Sequence, residues 1–434
     1  MRMHLSLALT CFVCACSGAS SGLGAADAGS LVDGPTTGDA ADAGASADGG
    51  SPGMLTMDCT QSNPACPAMT MPPDQPDQSE FRGFADPSMR RDPASGRLWL
   101  SYSWPHDIVG DAAATKDTYV LDIHLSHSDD SGNTWVYDEP LWTAQPVTSA
   151  SAGAGDGGLT YYSSHEVSNL APIDDGSGNV SWVSIHKYYT VEAGQNPTSD
   201  WAQFTASNMF IVSAASTPTA LDTAPTQRLG FAGTQAAVDF TLTSLSPDLA
   251  ACALLDEPAL MQQGSLLYLA AFCSSQHGNA PDYTNGFYAI FSTTPTGAPA
   301  GWTWKYEGKL STPADAEQLD GHQIWWELDF TRKSDGTLLA LVTPTDSTSG
   351  GLSNDGCRVL EVASLSPPAM AHDSAGNFID LASITTSDLS GRSGGQACTY
   401  EPASQTGVVV FRYMSGSSEA TGVLCTINAT SLSP

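Results

Sequence analysis

Phe84-Ala85-Asp86-Pro87-Ser88-Met89 leads through a polar turn ending at Gly96 into the apolar run Leu98-Trp99-Leu100-Ser101-Tyr102, and this unit comes back along the chain. Leu255-Asp256-Glu257-Pro258-Ala259-Leu260 leads through Gly264 into Leu266-Leu267-Tyr268-Leu269-Ala270. Thr399-Tyr400-Glu401-Pro402-Ala403 leads through Gly407 into Val408-Val409-Val410-Phe411. Two looser copies occupy residues 167–185, with Pro172 and the turn Asp175-Gly176, and residues 326–342, with Asp335-Gly336 and no proline. Two apolar runs joined by a glycine-bearing turn make a hairpin. A third apolar strand follows each copy, at residues 119–125, 208–212, 287–291, 358–362 and 422–427. Self-similarity of this kind marks propellers and solenoids. The repeats therefore predict an all-β fold, a five-bladed β-propeller over residues 58–434 with no linker inside it. The last copy has only three strands, so residues 54–80 are expected to supply its outer strand and leave no sheet edge open.

The N-terminus reads differently. Arg2, an apolar stretch over residues 5–13 and the small Ala15 before Cys16 form the pattern of a secretory signal over residues 1–16, too short to span a membrane. Val13-Cys14-Ala15-Cys16 resembles the lipobox of bacterial lipoproteins, which implies acylation of Cys16, export and a lipid anchor in the outer membrane or at the cell surface. Residues 17–57 are dominated by Ala, Gly, Ser and Asp, a composition that buries too little apolar surface to fold, and are expected to be a disordered stalk.

Fifteen basic against 46 acidic residues give a net charge of −31, which argues against nucleic acid and anionic lipid as partners. The membrane is expected to be met only through the N-terminal lipid, and the folded part to be a monomer. Beyond the signal stand Cys59, Cys66, Cys252, Cys273, Cys357, Cys398 and Cys425. In an oxidising compartment the near spacing pairs Cys59 with Cys66, and Cys252 with Cys273 across one hairpin. The odd number leaves a thiol over, and no spacing suggests a zinc site.

In a propeller the starts of the innermost strands converge on one face, and the loops between second and third strands lie there too. Those loops are long here, at residues 105–117, 190–200, 274–285 and 346–356, as suits a binding face on a rigid scaffold. The converging positions are acidic: Asp86, Asp256, Glu257, Glu327, Asp329 and Glu401, with His165 and Glu166 in the second copy. Trp104, Tyr161, Tyr162, Trp325, Trp326 and Tyr400 stand beside them, as side chains that could stack on a sugar. An acid-lined, aromatic-walled funnel suits glycoside hydrolysis, where one carboxyl protonates the leaving oxygen and another activates water. No metal or other cofactor is called for, although the channel acids could hold a Ca²⁺ ion.

Two resemblances sharpen this. Ser128-Asp129-Asp130-Ser131-Gly132-Asn133-Thr134-Trp135 resembles the Asp-box of sialidase-type propellers, in which Ser128, Asp130, Gly132 and Trp135 would have structural roles in a turn. The Asp-Pro of the first copy, Asp-Glu-Pro of the third and Glu of the fourth resemble the acid triplet of the five-bladed arabinanase and xylosidase group of glycoside hydrolase family 43. That likeness implies Asp86 as general base, Asp256 or Glu257 as the carboxylate that tunes pKa and orients, and Glu327 as general acid. The expected activity is surface-tethered hydrolysis of neutral glycans. The alternatives are a six-bladed exo-sialidase, for which Arg82, Tyr400 and Glu401 would bind substrate, and a propeller that binds carbohydrate or another ligand without catalysis.

Overall fold

The computed structural model describes residues 54–60, 62–71, 82–108, 117–147, 160–195, 201–277, 280–348, 351–387, 397–414, 421–429 and 432. The expected signal, the lipid site at Cys16, nearly all of the expected stalk and parts of the four long loops lie outside the described residues.

Every repeat folds into a sheet of its own whose repeat strands pair antiparallel, and there are five sheets among the described residues. The first runs in simple order through Ala85–Arg91, Leu98–Ile108, Thr118–Ser128 and Val136–Trp142, and the third through Leu254–Gln263, Leu266–His277, Ala280–Thr293 and Lys305–Ser311. The second is built on Tyr161–Asp174, the fourth on Ile324–Arg332 and the fifth on Cys398–Tyr400. These inner strands touch one another in cyclic order, the fifth closing against the first. Sheets set around a common axis in this way form a β-propeller.

The strands are nearly continuous in apolar residues because each sheet is covered on both faces by its neighbours. One apolar layer fills each gap between sheets. Ile185 and Val212 meet Leu255 and Leu269, Ile290 meets Phe330 and Leu360, and Leu341 and Val359 meet Val410 and Ile427. Leu100 and Met89 meet Val409 and Phe411 where the fifth sheet closes on the first, and Ile123 and Leu125 meet Leu170 and Trp182. At roughly 1.5–3 kcal/mol for each large side chain fully buried, these layers are the main stabilising term.

The expectation for residues 54–80 is met in part. Leu55–Thr60 pairs in parallel with Asp380–Ser387, on the edge of the fourth sheet rather than the fifth. Ala68 then bridges Cys425, Met69 N–H donates to Leu424 O at 2.7 Å, and Arg82–Gly83 pairs in parallel with Thr421–Gly422. The N-terminal segment thus covers the outer edges of two adjacent sheets. Disulfides join Cys59 to Cys66 and Cys252 to Cys273 as expected, and Cys357 to Cys398 between the fourth and fifth sheets. Cys425 is the free, buried thiol among the described residues.

The turn at residues 128–135 is locked by its own side chains. Asp130 accepts from Ser128 Oγ, Thr134 N and Thr134 Oγ1 at 2.7–2.8 Å, and Ser128 Oγ accepts from Gly132 N at 2.8 Å. Hydrogen bonds from Thr134 hold the Asp130 carboxyl down to about 2. Trp135 is buried in the layer between the fifth and first sheets, and Gln405 N–H donates to Ser131 O at 2.8 Å. Gly132 sits at φ 93° with room for no side chain, since a Cβ there would lie 1.7 Å from Thr406 Oγ1. Gly132→Ala is accordingly expected to cost about 2 kcal/mol, read as a lower urea midpoint at unchanged slope, from backbone strain plus overpacking.

Candidate active site

Each inner strand has one residue in the left-handed backbone region within it or, in the fifth, immediately before it: Asp86 (φ 49°), Val167 (53°), Glu257 (47°), Glu327 (45°) and Ala397 (56°). At the first four the ladder slips, between Ala85 and Ser88, Glu166 and Asn169, Asp256 and Ala259, and Trp326 and Leu328. A bulge re-aims a side chain out of the regular alternation. Since Val167 and Ala397 share the conformation, it belongs to the fold, and function enters through which residue occupies each position.

These five residues line one narrow cavity, about 20 Å³ in volume and partly open to solvent. Going round the ring, an acid stands on the first, third and fourth strands and a small apolar residue on the second and fifth. Asp86 therefore stands alone, with Glu257 and Glu327 on adjacent strands elsewhere in the wall. Asp86, Glu257 and Glu327 are 4%, 1% and 5% exposed, and none of their six carboxyl oxygens has a hydrogen-bond partner among the described residues.

Asn169 and Asp329, which line the same cavity as the acids, belong to a buried polar network. Asp329 accepts from the Arg90 guanidinium through both oxygens, from Asn169 Nδ2 at 2.8 Å, from Thr399 Oγ1 at 2.6 Å and from Phe330 N at 2.8 Å. Arg90 also donates to Asn169 Oδ1 at 3.2 Å, so one side chain ties the first sheet to the second and fourth. A Ca²⁺ ion at Asp329 would have to displace this guanidinium. Among the described residues no three carboxylate or imidazole groups bring ligand atoms within 4.8 Å of one another; the sulfurs of Cys59, Cys66 and Cys425 do, and two of those form a disulfide.

Burial sets the electrostatics. Desolvation first, then the charge of Glu166, pushes Asp86 up to about 7. Desolvation followed by Asp256 raises Glu257 well above the usual range, and desolvation followed by Asp86 and Glu257 does the same to Glu327. Ser103 and Lys187 pull Asp86 the other way without offsetting its burial, so the three carboxyls compete to stay protonated.

Several expected site residues lie elsewhere. Asp256 is behind the wall, bound to Lys187 Nζ at 2.7 Å, and Glu166 binds the same ammonium at 2.7 Å. His165 bonds His186 at 3.1 Å, and burial lowers its pKa to about 3. Glu401 is at the other end of its strand, because the proline-based register of the fifth copy is wrong by four residues and Ala397 is the true equivalent of Asp86. Its carboxyl accepts from Arg91 N and Ala403 N, on the face of the 128–135 turn. The aromatic wall is absent from the cavity lining. Trp104 packs on Phe84 and His124, Trp325 on Phe378, Trp326 on Phe272 and Tyr283, and Tyr161, Tyr162 and Tyr400 are buried. Arg82 pairs through its backbone with Thr421, and its side chain lies outside the described residues. Lys187 and Arg90 were missed by the sequence reading; Lys187 is the one lysine or arginine in its strand, a signal that could have found it, whereas Arg90 shares a short polar strand with Asp86 and Arg91 and is not singled out.

Fold and site together define an acid-lined β-propeller. No protein-family model and no curated protein sequence matches the chain. Among solved structures it is similar to the catalytic domain of a GH62 α-L-arabinofuranosidase from Coprinopsis cinerea, at 11% identity over 86% of this chain and 97% of that one, TM-score 0.40. It is similar to the native arabinanase of Bacillus subtilis, at 13% over 80% and 96%, TM-score 0.40. It is also similar to a protein of unknown function from Dyadobacter fermentans, at 10% over 84% and 100%, TM-score 0.42. Overlap at this level carries no statement about activity.

Proposed function

We propose that this chain is a glycoside hydrolase of neutral glycans, its five sheets serving as the blades of the propeller, with Asp86 as general base, Glu327 as general acid and Glu257 as the carboxyl that holds the other two apart in pKa. The observation that carries the reading is the set of three buried carboxyls with six unpartnered oxygens around one cavity. Such a wall needs hydrogen-bond donors from its ligand, and a sugar's hydroxyls supply them.

In the step proposed, protonated Glu327 gives its proton to the glycosidic oxygen as the bond to the anomeric carbon breaks. Ionised Asp86 takes a proton from the water that forms the new carbon–oxygen bond. The products are the freed alcohol and a sugar of inverted anomeric configuration. Two like-charged carboxyls in one desolvated site are driven to different protonation states, which is what this division of labour requires.

An exo-sialidase fits less well. A sialoside brings a carboxylate, which calls for paired guanidinium groups. The cavity lining has no cationic side chain among the described residues, and Arg90 is committed to Asp329.

The test is a panel of furanosides, pyranosides and sialosides offered to the whole chain across pH. Turnover of a neutral glycoside is expected, with a bell-shaped profile. Asp86 has to be ionised, so activity should rise through about pH 7, and it should fall again where Glu327 loses its proton. Saturable sugar binding without turnover would make the chain a binding propeller, and turnover of sialosides alone would overturn the assignment.

A further inference from the structure

Behind the cavity wall the second and third sheets meet at a buried lysine. Lys187, on Val180–Glu192, stands directly across the ladder from Glu166. Its ammonium lies 2.7 Å from Glu166 Oε1 and 2.7 and 2.8 Å from the two oxygens of Asp256 on the third sheet. Tyr189 donates to the other Glu166 oxygen at 3.1 Å, and the rings of Tyr189 and Phe204 lie 5.6 and 5.2 Å from the ammonium. The three charged side chains are at most 3% exposed.

The placement matters more than the pairing. Glu166 immediately precedes Val167 and Asp256 immediately precedes Glu257, so one ammonium grips the residues next to two of the five left-handed positions in the wall. Asp256 Oδ1 also accepts the backbone N–H of Glu257 at 3.1 Å, fixing the bulge from which the Glu257 carboxyl enters the cavity. Stability alone is a poor reason to keep such a cluster, because well-packed apolar side chains stabilise a buried site as well or better.

We infer that Lys187 is a positioning residue for the cavity: through Asp256 it holds Glu257 in place, and it sets the charge that lies behind the three cavity carboxyls. The kinetic part of this inference rests on the hydrolase reading; the positioning itself does not. Two carboxylates on one ammonium leave a net negative charge behind the wall. The charged groups that face Asp86 are Glu166, Lys187 and Asp256 behind the wall, Glu257 and Glu327 within it, and the Arg90–Asp329 pair of the polar network. The sign of each contribution follows: the ammonium favours the ionised cavity acids, and Glu166 and Asp256 oppose them.

The experiment compares the whole wild-type chain with Lys187→Met, Lys187→Arg and Asp256→Asn. It reads the pH midpoint of the acid limb of turnover and, independently, the carboxyl titration of the folded protein by carbon-13 NMR. Lys187→Met is expected to move the midpoints up by about one pH unit, the size of a single charge acting through protein at this range. Asp256→Asn, which keeps the acceptor for Glu257 N–H but removes a negative charge, is expected to move them down. Lys187→Arg keeps the charge and is expected to restore the wild-type position. Should Lys187→Met fail to fold, Asp256→Asn and Lys187→Arg still decide. Midpoints that stay put, or move up in Asp256→Asn, would overturn the inference. Carboxyl titrations that move in opposite senses without hydrolysis of any glycoside would uphold Lys187 and sink the hydrolase reading. Hydrolysis with an unmoved acid limb would do the reverse.

Discussion

Glu327→Gln and Asp86→Asn are each expected to lower turnover by about 10²–10⁴-fold, the usual contribution of a positioned acid or base, while raising the unfolding temperature at pH 8. The two effects share one cause. Asp86 is pushed from 3.8 to about 7 in the folded protein. A group whose folded pKa is raised contributes stability that is fully present below the unfolded value and is lost as pH rises through the folded one. Above pH 7 the wild-type protein therefore holds an anion it would be more stable without, by up to roughly 4 kcal/mol for a shift of this size. The amide keeps the shape and never ionises, so the gain of Asp86→Asn should be largest at pH 8 and shrink as pH falls from 7 toward 4. Glu327→Gln should behave in the same direction, because burial raises Glu327 as well. Calorimetry at both ends of the range, beside the rate, checks it. Variants that lose activity and unfold earlier at pH 8 would mean that the carboxylates stabilise the folded wall, and would overturn the shared cause.

How much of this was legible depended on what each residue writes into the chain. The five hairpin units showed because their turns need glycine and their strands need apolar runs, and both leave a pattern. Asp86 and Glu257 showed because each precedes the repeat proline, and Glu327 because the register of its copy survived without one. Glu401 misled for the same reason: it too precedes a proline, Pro402, but the position that matters is defined by a left-handed backbone, and Ala397 announces none. The aromatic wall failed on a different ground. Between two packed sheets a ring beside an acid turns into a neighbouring apolar layer, as Trp326 does against Phe272, and local sequence does not say which side a bulge will favour. Lys187 meets its partners across strands and sheets, Asp256 69 positions away, a contact that only the fold creates.

Arg90→Met is expected to destabilise the protein by about 3–5 kcal/mol, the loss seen when one member of a buried ion pair is removed and the other stays charged. Arg90 is 6% exposed and Asp329 4%, so water does little to replace the lost partner. Asp329 would keep Asn169, Thr399 and the Phe330 N–H, which soften the loss without cancelling a charge. The double variant Arg90→Met with Asp329→Leu is expected to recover most of the stability, because neither member of the pair is then left as an unpaired buried charge. It should not recover the geometry of the wall, since Asp329 is on the same strand as Glu327, two residues further on, and Arg90 joins that strand to the first and second sheets. Urea titration separates the cases. A midpoint that falls steeply in the single variant and returns in the double, with turnover still reduced, marks the network as what holds the acids in place. A single variant that loses less than about 1 kcal/mol, the range of exposed ion pairs, would mean that the sheets hold their places around the axis without it.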